Sequence, residues 1–406
     1  MILSISWRNV WRSKTRSVVI LLAIALGIFT GVFNYAFYNG MADQRINSAI
    51  STEASHIQIH PKGYLDEPDE KNYISNAASL ASEISDKDSV KAACSRFIVQ
   101  GMIQSPTTSS GIKIMGINPE IESTVTNVHS KIIDGAYFEG VKRNPVVIGQ
   151  KLADKLKLKV RSKVVITFAD ASGYISGASF RVAGIYETSN KMYDQTNIFV
   201  RADDLTSLYG ADINAGHEIA VLLNQSDDVP AVLTGLTNKY QQYDVKEWRK
   251  IMPEVSMLES SLDISMYIFM IIILLALTFG IINTMLMAVL ERTKELGMLM
   301  SIGMNKGRVF KMIMIETVFL SLIGGVVGII IGALVTVLTA KSGIDISIVS
   351  EGFGAMGYDS MVYPVLRIKN VIDVVVMVFI TGMLAALYPA YKALKLKPAE
   401  AIRIDM

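Results

Sequence analysis

The sequence predicts a membrane protein whose four transmembrane α-helices carry a large extracytoplasmic α+β domain, inserted between helices 1 and 2. Two observations lead to this fold class. Of the 406 residues, 51% are hydrophobic and only 19% are charged, a balance too apolar for an ordinary soluble domain. The excess lies in four uncharged runs, whereas the segment between the first two runs has the mixed composition of a folded domain.

Each uncharged run is long enough to cross a bilayer as a helix, the last run only just. A helix rises about 1.5 Å per residue and the hydrocarbon core is about 30 Å thick, so about 20 residues are needed. The first run could instead be a signal peptide, but it is longer than a usual h-region and no convincing small-x-small cleavage site closes it. We therefore predict spans over residues 17–42, 264–290, 312–340 and 374–391.

Basic residues flank these spans on one side. They concentrate in residues 1–16, in the loop 291–311 and in the tail 392–406. The positive-inside rule places all three segments in the cytoplasm, so that both chain ends are cytoplasmic. Four crossings then place residues 43–263 and the loop 341–373 on the opposite side.

Residues 43–263 form the predicted outer domain. They contain 23 Lys and Arg against 28 Asp and Glu, a net charge of −5 in a chain whose total is +2. The basic charge at the cytoplasmic edges is typical of proteins that meet an anionic leaflet. The sequence has no basic patch interleaved with aromatic residues, which would be the sign of a nucleic-acid binding surface.

Short alternating or apolar segments in this domain predict strands, and amphipathic segments between them predict helices. This mixture predicts an α+β fold, with subdomain boundaries near Asn118 and Gly216. The predicted strands are 56–60, 96–104, 111–117, 164–168, 180–186, 197–200 and 218–223; the predicted helices are 77–84, 148–158 and 202–210.

No motif for chemistry stands out in the sequence. His56 and His60 are four residues apart in a strand-like segment, which separates them by about 13 Å, too far for one metal ion. Cys94 is the single cysteine, so no intrachain disulfide can form. Neither G-x-S-x-G, H-E-x-x-H nor a Walker A loop occurs. We expect no catalytic residue, metal site or cofactor in this chain; if ATP is used, a separate chain binds it.

Two features of the spans indicate close packing or contact with lipid. Gly324, Gly328 and Gly332 are four residues apart in the third span, which lets another helix approach closely, either for static packing or for sliding. Phe29, Phe33 and Phe37 form a stripe on the first span, which faces lipid, a neighbouring helix or a lipid-like substrate.

Asn283, in the second span, needs a hydrogen-bond partner and is expected to find it on a neighbouring helix.

The loop 291–311 reads ERTKELGMLMSIGMNKGRVFK and carries seven charges between two apolar spans. Its first half combines four of these charges, at residues 291, 292, 294 and 295, with Met298, Leu299 and Ile302, a spacing typical of a short amphipathic helix. Such a helix would lie along the cytoplasmic surface with its charges directed to water or to a partner.

Three segments resemble the MacB/FtsX-type (type VII) permeases of ABC transporters. The loop is similar to the family's E-R-x-x-E-[IL]-G-x-x-x-x-[IL]-G signature, and YPAYKALKLKPAEAIR (388–403) resembles its P-A-x-x-A-x-x-x-x-P-x-x-A-[LI]-R ending. The start, SWRNVWRSKTRSVVILLAIALG (6–27), is also similar. The three motifs occur in the family's order.

Within this family the chain is most similar to LolC and LolE, the permeases of lipoprotein-releasing transporters. YNGM (38–41) resembles their M-N-G-[FM], and the segments 146–166, 184–200 and 247–255 resemble three further stretches of these permeases. Two departures limit the likeness: no ATPase domain is fused to the chain, unlike MacB, and the outer domain is larger than that of a typical FtsX.

The resemblance implies a two-lobed outer domain, a dimer with a second copy or a related permease, and cytoplasmic ATPase subunits that bind ATP and Mg. It also implies a bacterial inner membrane and a periplasmic chaperone or membrane-fusion partner. The implied function is extraction of lipid-linked substrates from the outer leaflet by mechanotransmission. The alternatives are MacB-like drug or peptide efflux and FtsX-like activation of a cell-wall hydrolase. The residues implied in ATPase coupling are Glu291, Arg292, Lys294, Glu295, Leu296 and Met298.

Overall fold

The computed structural model describes residues 2–12, 14–349, 352, 354 and 357–395. The chain forms two compact units. The first, here called the membrane unit, comprises Met1–Ala42, Ser260–Ile344 and Met361–Met406. The second, the outer unit, comprises Asp43–Glu259 and Asp345–Ser360.

Helices and strands are numbered along the chain. The helices are α1 (Ile2–Arg12), α2 (Lys14–Ser48), α3 (Ala77–Ser85), α4 (Pro119–Val125), α5 (Gln150–Leu156), α6 (Lys191–Thr196), α7 (Ala202–Tyr209), α8 (Val229–Lys239), α9 (Trp248–Ile251), α10 (Pro253–Glu291), α11 (Thr293–Ser301), α12 (Lys306–Ser342) and α13 (Ile368–Leu394). The strands are β1 (Ile57–Pro61), β2 (Val90–Gln104), β3 (Ser109–Ile117), β4 (Ile132–Gly135), β5 (Pro145–Gly149), β6 (Lys163–Ala169), β7 (Ile175–Tyr186), β8 (Asn197–Arg201), β9 (Glu218–Leu223), β10 (Tyr243–Glu247), β11 (Ile344–Asp345) and β12 (Met361–Val362).

The membrane unit confirms the four predicted transmembrane helices. Within the described residues, four helices are long and apolar enough to cross a membrane: Ser17–Ala54, Ile264–Glu291, Lys306–Ser342 and Ile368–Leu394. Each helix extends beyond the uncharged run that predicts it, because polar residues continue the helix past the hydrocarbon core.

Local residues set the ends of α12. Asn305 caps its start, since the side-chain oxygen accepts a hydrogen bond from the Gly307 amide at 3.0 Å. Gly343 follows its last residue with a φ of +73°, a conformation that favours glycine. The helix is therefore 37 residues long and bounded by a cap on each side.

The outer unit is built on a ten-stranded sheet in the order β10-β1-β9-β2-β3-β8-β5-β7-β4, with β6 pairing β2 and β7. The long strand β2 belongs to two lobes. Its first half, up to Arg96, pairs with β9, and its second half, from Phe97, pairs with β3 and β6. We call the part built on β1, β9, β10 and the first half of β2 lobe A, and the part built on β3–β8 and the second half lobe B.

Each lobe has its own hydrophobic core. In lobe A, Ile57, Leu80, Ile219 and Leu236 belong to one buried cluster, which brings α3 and α8 onto the sheet. In lobe B, another cluster joins the strands to α5 and α7 through residues such as Leu152 and Leu205. The α+β class and the two lobes are thus confirmed.

The subdomain boundaries agree with the sequence at only one of two places. The chain returns to lobe A at Gly216, just before β9, as predicted. The first boundary lies inside β2, between Arg96 and Phe97, and not near Asn118. The strand continues across this point without a turn or a loop, so the sequence carries no boundary signal there.

All seven predicted strands and all three predicted helices of the outer domain are present. Sequence reasoning missed β4, β5 and β10, together with the helices α4, α6, α8 and α9. The residues of β10 are all half-buried, with only two apolar residues, Tyr243 and Val245, between charged ones, and β4 is largely exposed. Such edge segments lack the pattern that identifies a strand.

Candidate functional site

The candidate site is the loop between α10 and α12, which contains α11. Leu296 and Gly297 are buried against the membrane unit, whereas Glu291, Lys294 and Met298 are exposed. A helix places such residues on different faces, so α11 has an inner face that packs on the permease and a solvent-exposed outer face. The six residues implied in coupling therefore do not share one surface.

Arg292 lies at the start of α11 and is directed to the chain's own helices. Its Nη1 donates a hydrogen bond to Glu316 Oε1 of α12 at 3.1 Å, and its Nη2 donates to the Asn9 carbonyl of α1 at 2.9 Å. The side chains of Arg292 and Glu316 are only 15% and 11% exposed. This guanidinium thus joins three elements: the α11 loop, α12 and α1.

A second ion pair joins the same loop to α1 at the surface. Arg12 Nη1 donates to Glu295 Oε2 at 2.9 Å, and the two side chains are 63% and 41% exposed. Exposed pairs contribute only about 0 to 1 kcal/mol, so this contact adds little stability. Glu295 therefore lies at the water-facing edge of the joint.

A cavity of about 480 Å³ lies within this joint, between α1, α10, α11 and α12. Its walls are largely apolar, with Met285, Leu299 and Ile313 beside the Arg292–Glu316 pair. In the described part of the chain, no group of three or more His, Cys, Asp or Glu residues is placed to hold a metal ion. The lining contains no serine, cysteine or histidine, and its two carboxylates, Glu295 and Glu316, are each paired with an arginine.

The three predicted glycines of α12 pack against α2. A Cβ atom on Gly324 would lie 2.9 Å from Ile24 Cγ2, and one on Gly328 would lie 2.7 Å from the Ala25 carbonyl oxygen. Gly332 lies against Val32, where a Cβ would approach to 3.2 Å. The backbones of α2 and α12 are therefore too close for larger side chains at these positions.

The aromatic stripe of α2 and Asn283 of α10 are both at least partly exposed. Phe29, Phe33 and Phe37 are half-buried, and the rings of Phe29 and Phe33 stack with their centroids 6.0 Å apart. Asn283 is exposed and makes no hydrogen bond with any residue that the structure describes. The partner expected for Asn283 on a neighbouring helix is thus not found within the described chain.

A buried charge cluster at the junction of the two lobes was missed by sequence reasoning. Arg96 of β2 donates to Glu122 through Nε at 3.1 Å and through Nη2 at 2.7 Å, and to Glu218 of β9 through Nη1 at 2.6 Å. Its side chain is 2% exposed. The only sign of this cluster in the sequence is a charged residue at an inward position of an apolar strand. That sign does not show which residues are the partners of Arg96.

Ionisation within this cluster follows from burial and neighbouring charge. The Cys94 thiol donates to Glu122 Oε2 at 3.1 Å, and burial together with the Glu122 carboxylate raises its pKa well above the usual value. Burial raises the pKa of Glu218, but the charges of Arg96, His60 and Lys113 outweigh it, so that the net shift is downward. Cys94 is therefore an inert buried thiol, and Glu218 stays ionised.

His60 of β1 and His56, which immediately precedes this strand, have hydrogen-bond partners within the outer unit. His60 Nδ1 lies 2.9 Å from the His217 carbonyl oxygen, and its Nε2 lies 2.9 Å from Gln58 Oε1. His56 Nε2 lies 3.1 Å from Ser226 Oγ. Burial lowers the pKa of both imidazoles. These contacts hold both side chains in place within the outer unit.

Two family models match the chain. The model of the MacB-like periplasmic core domain matches residues 17–239, more than half of the chain, and the model of the FtsX-like permease C-terminal region matches residues 267–398. The first covers α2 and most of the outer unit, and the second covers the other three spans and the α11 loop.

Relatives with known names agree with these models. The lipoprotein-releasing system transmembrane protein LolC of Neisseria meningitidis is 23% identical over 382 residues, which cover 89% of this chain and 88% of the relative. The uncharacterized ABC transporter permease YknZ of Bacillus subtilis is 26% identical, with 89% of each chain covered. The macrolide export ATP-binding/permease protein MacB of Chlorobaculum tepidum is 31% identical over 126 residues, 31% of this chain and 17% of that protein.

Four membrane-spanning helices, the outer α+β domain after the first of them and the two matching family models lead to one assignment. The chain belongs to the family of MacB/LolC/FtsX-type (type VII) ABC transporter permeases, and it is a multi-pass membrane subunit that works with an ATPase partner.

Proposed function

We propose that this permease uses ATP hydrolysis in its partner to extract lipoproteins or other lipid-linked substrates from the outer leaflet of a bacterial inner membrane. Similarity to a lipoprotein-releasing permease over 89% of the chain supports this substrate class, because it includes the outer unit as well as the spans. In this arrangement both chain ends are cytoplasmic, the outer unit is periplasmic, and ATP and Mg are held by the ATPase.

The contact of Arg292 with two helices is the observation that carries the proposal. The α11 loop is bonded to α12 through Glu316 and to α1 through the Asn9 carbonyl. An ATPase that displaces the loop must therefore displace both helices, and the movement passes along the chain to the outer unit. No reaction within the permease is needed for this transfer of force.

The exposed face of α11 provides the surface on which the ATPase would dock. Lys294 and Met298 are exposed there, Met298 to 55%, and Glu291 at the end of α10 is exposed beside them. For a cycle to do work, the ATPase must bind this face with an affinity that changes with its nucleotide state. Contacts of Leu296 on the inner face would then keep the helix attached to the permease while the outer face changes partners.

Release from proteoliposomes tests the function. The full chain and its candidate ATPase are reconstituted with a triacylated reporter protein, and the reporter released on addition of ATP is measured. We expect ATP-dependent release of the lipidated reporter. The same reporter without its acyl chains is the matched control, and it should not depend on the permease.

Two other outcomes would contradict lipid-linked extraction. Transport of a macrolide or peptide without release of the reporter would indicate efflux. ATP-dependent binding of a cell-wall hydrolase by the outer unit, again without release, would indicate mechanotransmission alone. If the chain neither co-eluted with the ATPase nor stimulated its hydrolysis of ATP, the proposed coupling would be contradicted.

A further inference from the structure

Another cavity, of about 330 Å³, lies at the junction of the two lobes of the outer unit. Both lobes contribute to its wall: Gln58, His60 and Glu218 belong to lobe A, and Gln100 and Lys113 belong to lobe B. This volume is at the lower end of the range for small-molecule sites, about 300–1,000 Å³. The cavity therefore has room for a ligand of the size of an amino acid.

Strand pairing places the polar lining residues on one face of the sheet. On β2, Arg96 and Gln100 are an even number of residues apart, so their side chains point to the same side. Arg96 lies opposite Glu218 of β9, and Gln100 lies opposite Lys113 of β3. The next residue of β2, Phe97, points to the other side and belongs to the core of lobe B. The cavity thus lies on the polar face of the sheet and is not a packing defect in that core.

The segment between β1 and α3, residues 62–73, forms another wall of the cavity and is here called the strap. It contributes three lining side chains. The Gly63 amide donates a hydrogen bond to Asp244 Oδ2 of lobe A at 2.9 Å. The Glu70 carbonyl accepts one from the Tyr209 hydroxyl of lobe B at 2.8 Å. The strap is therefore attached to both lobes and holds its side of the cavity in place.

Lys113 and Glu218 bring opposite charges to the cavity. Glu218 Oε1 accepts a hydrogen bond from Arg96 at 2.6 Å, whereas Oε2 makes none within the part of the chain that the structure describes. Among the same described residues, the Lys113 ammonium has no hydrogen-bond acceptor and no ion-pair partner. Burial lowers the pKa of Lys113, and the charge of Glu218 offsets this only in part. Ionisable groups perturbed in this way within a cleft indicate a binding site.

The charges around the cavity determine which kind of ligand fits. Arg96 is shared by Glu122 and Glu218, so this cluster has one negative charge in excess. Lys113 supplies one positive charge beside Gln100, four residues further along β2. An anion would pair with Lys113 but would add to the negative charge of the cluster, and a cation would be repelled by Lys113. A ligand that carries both charges matches both ends of the cavity.

We propose that this cavity binds a small zwitterion, whose carboxylate or phosphate pairs with Lys113 and whose ammonium pairs with Glu218 Oε2. Free α-amino acids and the phosphoethanolamine headgroup of a lipid share this chemistry. Ile98 lies between Arg96 and Gln100 on β2, and Met115 lies opposite Ile98, so that the carbon atoms of the ligand meet an apolar surface. The site lies entirely in the outer unit and does not rest on the proposed substrate.

Thermal unfolding of the full chain in a nonionic detergent tests the site, because a ligand that binds only the folded state raises the unfolding temperature. The probes are the proteinogenic α-amino acids, tested singly at millimolar concentration, and phosphoethanolamine. We expect a zwitterion to raise the unfolding temperature of the outer unit by a few degrees. Tighter binding of phosphoethanolamine would identify a lipid headgroup as the source, and tighter binding of an amino acid would identify a free metabolite.

Matched compounds show whether both charges are needed. For leucine, isoamylamine lacks the carboxylate and isocaproate lacks the ammonium, while the carbon chain is the same. Each of them should bind at least about tenfold more weakly than the zwitterion, because one charged group of the cavity is left without its partner.

Two variants locate the site. Lys113→Met has a side chain of similar length without the charge, and it should weaken binding by about 10- to 100-fold. Without ligand it should unfold at the same or a higher temperature, because a desolvated charge has been removed. Lys163→Met is the matched control, since Lys163 is an exposed lysine of β6 that does not line the cavity, and it should bind like the natural chain.

Three results would overturn the proposal. The first is that no probe raises the unfolding temperature of the natural chain. The second is that the amine or the acid binds as tightly as the corresponding zwitterion. The third is that Lys113→Met binds as tightly as Lys163→Met. The first two measurements use the natural chain, so they decide the matter even if Lys113→Met does not fold.

Discussion

The two units of this permease each contain an arginine that joins distant elements, and the two are bonded differently. Arg96 in the outer unit is enclosed, 2% exposed, and bonded to two carboxylates on α4 and β9. Arg292 in the membrane unit is 15% exposed and bonded to one carboxylate and one carbonyl. The first arrangement fixes the junction of two lobes through two ion pairs, whereas the second holds three elements together through one ion pair and one carbonyl.

The largest effect is expected for Arg96→Ala. Removal of one partner from a buried ion pair costs about 3–5 kcal/mol, because the remaining charges stay buried without compensation. Here two carboxylates, Glu122 and Glu218, would be left together. Thermal unfolding and limited proteolysis of the full chain should show loss of the outer unit while α10–α13 remain intact.

Lys91→Ala is the matched control for Arg96, because Lys91 is a basic residue of the same strand with an exposed side chain. It should leave the unfolding temperature nearly unchanged. If Arg96→Ala were as mild as Lys91→Ala, the cluster would not hold the lobes together and the contrast with Arg292 would disappear.

Arg292→Ala should act more on coupling than on stability. Loss of a hydrogen bond to a charged group costs about 1.5–3 kcal/mol, less than the loss expected for Arg96, because only one carboxylate, Glu316, is left without its arginine. We expect the variant to bind the ATPase but to stimulate hydrolysis less. Lys294→Glu, on the outer face of α11, should instead weaken binding. If Arg292→Ala lost ATPase binding while Lys294→Glu still bound the ATPase and stimulated hydrolysis, Arg292 would be the docking residue and Lys294 would not.

Acid should weaken the outer unit through Glu218. Its pKa is lowered in the folded state, because the charges of Arg96, His60 and Lys113 outweigh the effect of burial. A lowered carboxyl pKa contributes stability that is present above the unfolded pKa and is lost as the pH falls through the folded one. The unfolding temperature should therefore fall once the pH is lowered below about 4, the usual range of glutamate pKa values. Glu218→Gln should be less stable at neutral pH and lose less on acidification.

The smallest effect is expected for Arg12→Gln. Its pair with Glu295 is exposed on both sides, so the change in unfolding free energy should stay below about 1 kcal/mol. Added salt should remove even this difference between the variant and the natural chain, because exposed pairs are screened. A larger loss that persists in high salt would mean that the surface pair is as important as the Arg292 joint.

The features that could be predicted from the sequence are local ones. Uncharged runs identify the spans, alternation identifies strands such as β6, and the spacing of Gly324, Gly328 and Gly332 identifies a face for close packing. The sequence could not show that these glycines pack against α2, because their spacing does not indicate which helix lies against them.

The features that could not be predicted depend on contacts between distant parts of the chain. Arg96 meets Glu122 and Glu218 across 26 and 122 residues, and no spacing rule connects them. The loop signature indicates charges at 291–295 but not that Arg292 is directed inward to Glu316. Residues that look alike in a motif are thus separated by the fold into contacts within the permease and contacts available to a partner.

The shared strand β2 has a consequence for how this protein can be taken apart or recombined. Its 15 residues belong to both lobes, so neither lobe has a complete sheet without the other. A graft of lobe B from a relative would have to cut this strand at Arg96, inside the charge cluster. Exchange between permeases is therefore expected to succeed for the outer unit as a whole, with its natural joints near residues 43 and 259, and to fail for single lobes.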